Sequence, residues 1–395
     1  MSTQTNRPRA RPLWHDAGWR AVVAGFTLNG FLFGVWASRI PSFKAEFGLS
    51  QATLGFLLLG LAGGAITSFP LAGGLSERLG AARMTVLCAI LYCPALVALA
   101  LAPGVLLLGA ALFLFGALHG SMDVAMNGWA AKVETRLARS TMSIFHAMFS
   151  LGAGLGAGSG YLAVRLGLSP SVHFLAMAVV GGAAALWLMW PERDSTPPRP
   201  NTSSTPQKLF MLPHGTLLLV GLVALSISMG EGAMADWSAV FLERVVGVDE
   251  AQAALGYAAF SATMVLTRLS GGLLVQWLGP VMVTRLSGLT AFLGLAIVIT
   301  AHSLSVALIG FALVGIGYAV IMPLVFSRAA NDPDLPPGPA IASVATVGYG
   351  GMLLGPPVVG FVAQLAGLPV SFGMLAVLAL CAVGLAPVLR LGPSD

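Results

Sequence analysis

Apolar runs of about 20 residues, broken by short polar or glycine- and proline-rich segments, recur along almost the whole chain. A helix of roughly 20 apolar residues crosses the hydrocarbon core of a bilayer. The pattern therefore predicts spans near 19–40, 51–75, 83–102, 105–130, 141–164 and 170–190. A second set follows near 214–241, 251–275, 281–301, 305–327, 339–363 and 370–390. Between the sets lies PERDSTPPRPNTSSTPQKLFMLP, residues 191–213, which can neither span a membrane nor build a core. The expected fold class is an all-α membrane protein of twelve transmembrane helices in two six-helix bundles, residues 1–190 and 214–395, joined by a cytoplasmic linker at 191–213.

Composition supports the pattern. The 395 residues are 57% hydrophobic and 9% charged, against about a quarter charged in a soluble domain, so a water-soluble fold would lack a surface. The 49 glycines suit helices packed closely in lipid. A net charge of +5 brings no basic patch with interleaved aromatics, which excludes a nucleic-acid partner. Instead the basic residues sort by loop: with the N-terminus inside, 15 fall in cytoplasmic segments and four, Arg39, Lys44, Arg165 and Arg244, fall outside, leaving Arg268 within a span. Both termini are expected in the cytoplasm. Cys88, Cys93 and Cys381 lie inside apolar runs and read as small core residues, without a disulfide framework or metal set.

The two halves echo one another. Trp36 precedes Gly55 by the same spacing as Trp237 precedes Gly256, and Gly73/Gly80 match Gly272/Gly279. Parallel repeats around a midplane site are a transporter architecture.

Several polar groups interrupt the spans. In HGSMDVAMNGW, His119, Asp123 and Asn127 are spaced i, i+4, i+8 and share one helix face. A carboxylate within a span costs about 2.5 to 3.5 kcal/mol and usually faces a cavity. Asp123 is thus a candidate for proton binding, and a structural pairing with His119 is the alternative. The next span opens with MSIFHAMFSLGAGLGAGSG. Its His146 can reach the preceding span to share a proton or serve structure, and its glycines allow bending and tight packing. SMGEGAMADWSAVF places Glu231 deep between glycines that clear space toward a central cavity, with Asp236 expected to be solvated near the outer interface. Trp36 and Trp237 read as interfacial anchors or as a stacking surface for a ring-shaped solute. Arg268 reads as a structural or gating pair for an acid across the bundle. Tyr318 and Tyr349, near Pro323, Gly355, Pro356 and Pro357, offer hydroxyls on kinked helices.

The loop GGLSERLGAAR resembles the major facilitator signature Gly-x-x-x-Asp-Arg-x-Gly-x-x-Arg, with Gly73, Glu77, Arg78, Gly80 and Arg83 at its key positions and alanines at 81 and 82 where a basic residue is usual. With MDVAMNGWAAKVE, GEGAMADWSAVFL and GYGGMLLGPPVVGF, the chain resembles the YbjJ-type and MosC-type bacterial branch of that superfamily, and more distantly the fucose:proton symporters. Asp123 and Asn127 match the acid and asparagine of the symporters' fourth helix, whereas their first-helix acid has no counterpart here. The resemblance implies a monomeric secondary transporter of the bacterial inner membrane, moving a small polar solute, sugar or inositol-like, with protons, in contact with the lipid bilayer and without a cofactor. A proton-driven efflux pump for amphipathic compounds is the alternative, although the proline of the drug-antiporter signature is missing from the glycine-rich span. No nucleophile with a base, metal set or phosphate loop suggests an enzyme.

Overall fold

A computed structural model describes residues 12–139, 141–196, 212–335 and 337–390, and among them there are helices and no strand. Most of the expected linker, 197–211, and the basic tail 1–11 lie outside the described residues. The first half comprises α1 (Ala17–Ser38), α2 (Ile40–Glu46), α3 (Gln51–Leu79), α4 (Ala81–Ala100), α5 (Val105–Leu137), α6 (Met142–Arg165) and α7 (Pro170–Met189). The second comprises α8 (Thr216–Phe241), α9 (Glu250–Ala253), α10 (Leu255–Ile299), α11 (Leu304–Tyr318), α12 (Ile321–Ala330), α13 (Pro337–Ala366) and α14 (Leu368–Leu385).

Eleven helical runs among the described residues are long and apolar enough to cross a membrane. One of them contains α10, whose 45 residues would extend about 68 Å if straight, more than twice a bilayer core. α10 kinks at Gly279 (φ 74°, ψ 161°), just before Pro280. At the matching place in the first half, Gly80 (φ 91°, ψ 139°) separates α3 from α4. Both positive φ values favour glycine, which lacks the Cβ that would clash there. The expected eighth and ninth spans thus form one run with a break where the internal repeat put it.

Helix ends follow local chemistry. Asp16 caps α1 by accepting from Trp19 N at 2.7 Å, and Ser50 caps α3 by accepting from Thr53 N at 3.0 Å. Asp16 also receives Arg136 in two bonds of 2.6 and 2.9 Å, tying the start of α1 to the end of α5. That guanidinium, more than the cap, holds the Asp16 carboxyl below its usual range.

Packing depends on backbone approach. α1 lies along α6 and α7, α3 along α5, α8 along α13, and α10 along α11 and α14, while α3–α13 and α6–α10 join the halves. On α1 and α6 the glycines interlock: a methyl group on Gly30 or Gly34 would overlap backbone of α6, and one on Gly152 or Gly156 would overlap backbone of α1. Of the alternating glycines of α6, those at 152, 156 and 160 therefore form one face against α1, and Gly158 faces open space. We expect Gly156→Val to lower the melting temperature of the purified protein, by about 1–3 kcal/mol in stability. Gly158→Ala should leave it unchanged; equal melting of the two variants would contradict this packing.

Candidate functional site

The axis of the molecule contains a cavity of about 520 Å³, within the range of small-molecule sites. It runs from mid-helix residues of α5 and α8 to Met142 and Ser143, the first residues of α6, and toward Phe326 of α12. Its polar lining includes His119 and Asp123 from α5, His146 from α6, Glu231 from α8, Arg268 from α10 and Tyr349 from α13. Phe69, Met142, Phe149, Met322, Phe326 and Met352 supply apolar wall.

The charged centre is built around Arg268. Its Nη2 lies 3.0 Å from Glu231 Oε1, and its Nη1 donates to Ser150 Oγ on α6 at 2.6 Å. Its Nε donates to the Ala319 carbonyl at 3.3 Å. That carbonyl lies four residues before Pro323, which has no N–H to bond it, so the proline break between α11 and α12 exposes an acceptor that the guanidinium takes up. The Glu231–Arg268 pair is mostly buried, with side chains 17% and 11% exposed. Sequence reasoning anticipated an acid partner for Arg268 but not which one, because the residues are 37 apart on different helices.

Asp123 faces the cavity without a cationic partner among the described residues; Asn127 donates to its Oδ1 at 3.1 Å and to its backbone carbonyl at 2.9 Å. Asn127 therefore orients the carboxyl and is not itself a lining residue. His119 is buried and its Nδ1 lies 3.0 Å from Tyr92 Oη, a partner that the sequence reading did not identify. Asn29 reaches the same region, donating to the His119 carbonyl at 3.4 Å. His146 packs edge-on against Phe26. Tyr318 is fully buried against Gly230 and does not line the cavity, and its hydroxyl has no partner among the described residues.

Beyond Glu231 the cavity ends at a seal. Arg39 forms an ion pair with Glu250 of α9 at 3.1 Å, and Ser42 bonds the same carboxylate. Arg165 pairs with Asp249 at 3.3 Å, and Gly55 of α3 meets Gly360 of α13 backbone to backbone. Trp36 and Trp237 lie within this seal, 1% and 0% exposed, and Trp237 Nε1 donates to the Pro356 carbonyl at 2.8 Å. Neither indole reaches a lipid interface, which corrects the anchor reading. Asp236 is likewise sealed at 3% exposure, not solvated. The helix does not end beside it: the chain continues through a π turn, Leu242–Val246, and α2 and α9 cover that end of α8.

At the opposite end the signature loop is open. Glu77 and Arg78 are exposed and unpaired among the described residues, whereas Arg83 bonds Asp194 at 2.6 Å and Thr196 Oγ1 accepts from Ala82 N at 2.7 Å. A side chain on Gly80 would overlap Thr196, so the close fit needs glycine there. Arg83 holds the Asp194 carboxyl below its usual range.

Residues 21–335 match the family model of the Major Facilitator Superfamily. The chain belongs to the major facilitator superfamily. It is 46% identical to the uncharacterized transporter y4wD of Sinorhizobium fredii, over 94% of this chain and 98% of that protein. It is 32% identical to the membrane protein MosC of Rhizobium meliloti, over 88% and 84% of the two chains. In fold it is similar to a bacterial homolog of the human lysosomal transporter Spinster in an inward-facing and occupied conformation. The TM-score is 0.74 at 16% identity, covering 97% of this chain and 100% of that one. The protein is a multi-pass membrane transporter of the major facilitator type.

Removing one partner of a mostly buried ion pair strands the other charge. Arg268→Met is therefore expected to destabilise this facilitator by about 3 kcal/mol, and combining it with Glu231→Gln should restore most of the loss. Thermal unfolding in one detergent compares the three; a single variant that melts like the wild type would show that the pair does not stabilise the packing of α8 on α10.

Proposed function

We propose that this facilitator moves a small polar solute, sugar or inositol-like, by alternating access, coupled to protons through Asp123 and Glu231. The observation that carries the reading is the central cavity. Two carboxyls from different halves face one aqueous space that is sealed at the Arg39 end and open at the signature-loop end. An unpaired carboxyl in such a space can exchange a proton with water, and a solute hydroxyl can take the place of that water as its hydrogen-bond partner. Arg268 can hold Glu231 charged in one state and release it in another. In this reading Gly279 separates two spans, which makes twelve in two six-helix bundles, residues 1–190 and 214–395. The Arg39 end faces outward, both termini are cytoplasmic, and the conformation is inward-open. Its open signature loop supports that assignment, since an acid–base latch on the cytoplasmic side has to part when that side opens.

A second reading, proton-driven efflux of amphipathic compounds, draws on the phenylalanine and methionine walls of the cavity, since methionine surfaces adapt to varied apolar shapes. Thermal-shift screening of the purified protein with polyols, sugars and amphipathic cations separates the two, because a ligand of the folded state raises its melting temperature. For the solute so found, proton-driven uptake into proteoliposomes should be abolished in Asp123→Asn and in Glu231→Gln. Accumulation at the wild-type level in both would refute the coupling.

A further inference from the structure

The seal at the Arg39 end contains a carboxyl that the proposed coupling does not use. Asp236 is buried, its Oδ1 has no hydrogen-bond donor, and no cation pairs with it among the described residues. It lines a small cavity of about 40 Å³ that adjoins the central one, since His119, Phe149, Glu231, Met352 and Leu353 line both. Burying an uncompensated charge in such a place is far costlier than burying the neutral acid. The cavity is therefore a pre-shaped place for a carboxyl that takes up a proton before the seal closes over it.

The surroundings support that role. From α8 itself, Glu231 faces the same small cavity, from α10 Tyr257, and from α5 His119. α13 contributes Met352, Leu353 and Pro356 there, none of them titratable. Trp36 of α1 interacts with the carboxyl, but its Nε1 closes no hydrogen bond. The nearby cations are already engaged: Arg39 with Glu250, Arg268 with Glu231, and Lys44 with the Leu49 carbonyl at 2.5 Å. Among the described residues no cation in the closed seal compensates a charge on Asp236, whereas water entering an open seal would hydrate it.

We propose that Asp236 is a proton-binding site on the outer side of the transport pathway: its carboxylate takes a proton from the external solution, and the neutral acid lets the outer seal close. The step forms one O–H bond and consumes one proton. It rests on the reading of the protein as proton-coupled and adds a third carboxyl to it. Closure then binds a proton that opening releases, so raising the external pH opens the seal, by up to about tenfold in the open-to-closed ratio per pH unit for a single proton.

The test needs no solute. Leu58 of α3 lines the small cavity and is 2% exposed. Leu58→Cys in the full-length protein, reconstituted in liposomes, is labelled by a membrane-impermeant thiol reagent added outside; protein without the added cysteine gives the background. The labelling rate, divided by that of a permanently exposed outer cysteine at the same pH to remove the titration of the thiol itself, should rise with external pH, and in Asp236→Asn this ratio should stay low and independent of pH. Asp236→Glu should keep the response with a displaced midpoint, which preserves the test if the asparagine variant does not fold. A pH response that survives in Asp236→Asn, a midpoint unmoved in Asp236→Glu, or no response in the parent overturns the proposal. If Asp236→Asn removes the response while Asp123→Asn and Glu231→Gln still transport, this site stands and the coupling proposed above fails. The reverse pattern removes this site alone.

Discussion

Charge inside a membrane-spanning bundle has to be hydrated, paired or neutral, and this cost arranges the polar groups of the fold. The Glu231–Arg268 pair meets the requirement by pairing, at 3.0 Å, and does so where α6, α8, α10 and the break between α11 and α12 converge. Asp123 meets it by facing the open cavity. The loop charges Glu77 and Arg78 meet it by exposure at the opposite end from the seal. Each solution suits one arrangement of the two halves, so a change of arrangement changes which charges need a partner. That is the physical means by which proton binding can drive movement in such a protein.

The apolar frame leaves these groups free to act because it is held together by shape. Gly30 and Gly34 against Gly152 and Gly156 bring α1 and α6 into backbone contact, and Gly55 against Gly360 does the same for α3 and α13. The first contact lies within one half and holds it rigid. The second crosses between halves at the seal, where Phe56 also meets Phe361 edge-on and Gln364 accepts from Ala52 N, and is reinforced by the Arg39–Glu250 and Arg165–Asp249 pairs. The polar contacts between halves, ion pairs and single hydrogen bonds, can part and re-form with water replacing each partner.

Most of the fold was legible in the sequence because span length and loop charge are local properties. The glycines at 80 and 279 were visible as a repeat, and both take positive φ. Pairings between helices were less legible. Arg268 had several possible acids, and only the folded chain selects Glu231; its third partner, the Ala319 carbonyl, is traceable to Pro323 once the break is seen. Asp236 and the two tryptophans were misplaced because nearness to a helix end suggested an interface, and the short α2 and α9 that cover that end carry little periodic signal. The partnership of Tyr92 with His119 could have been suspected from a tyrosine inside an otherwise apolar span, but nothing local named its partner.

The central claim, alternating exposure of one cavity between two moving halves, is tested most directly by spin-label distances across both ends of the same reconstituted protein. Labels at the exposed residues Ala45 and Ala366 report the sealed end, and labels at Thr135 and Asn331 report the open end. The account predicts opposed changes when the protein is shifted between states by pH or by a bound solute: the first distance lengthens as the second shortens. Two distances that stay fixed, or that lengthen and shorten together, would contradict it.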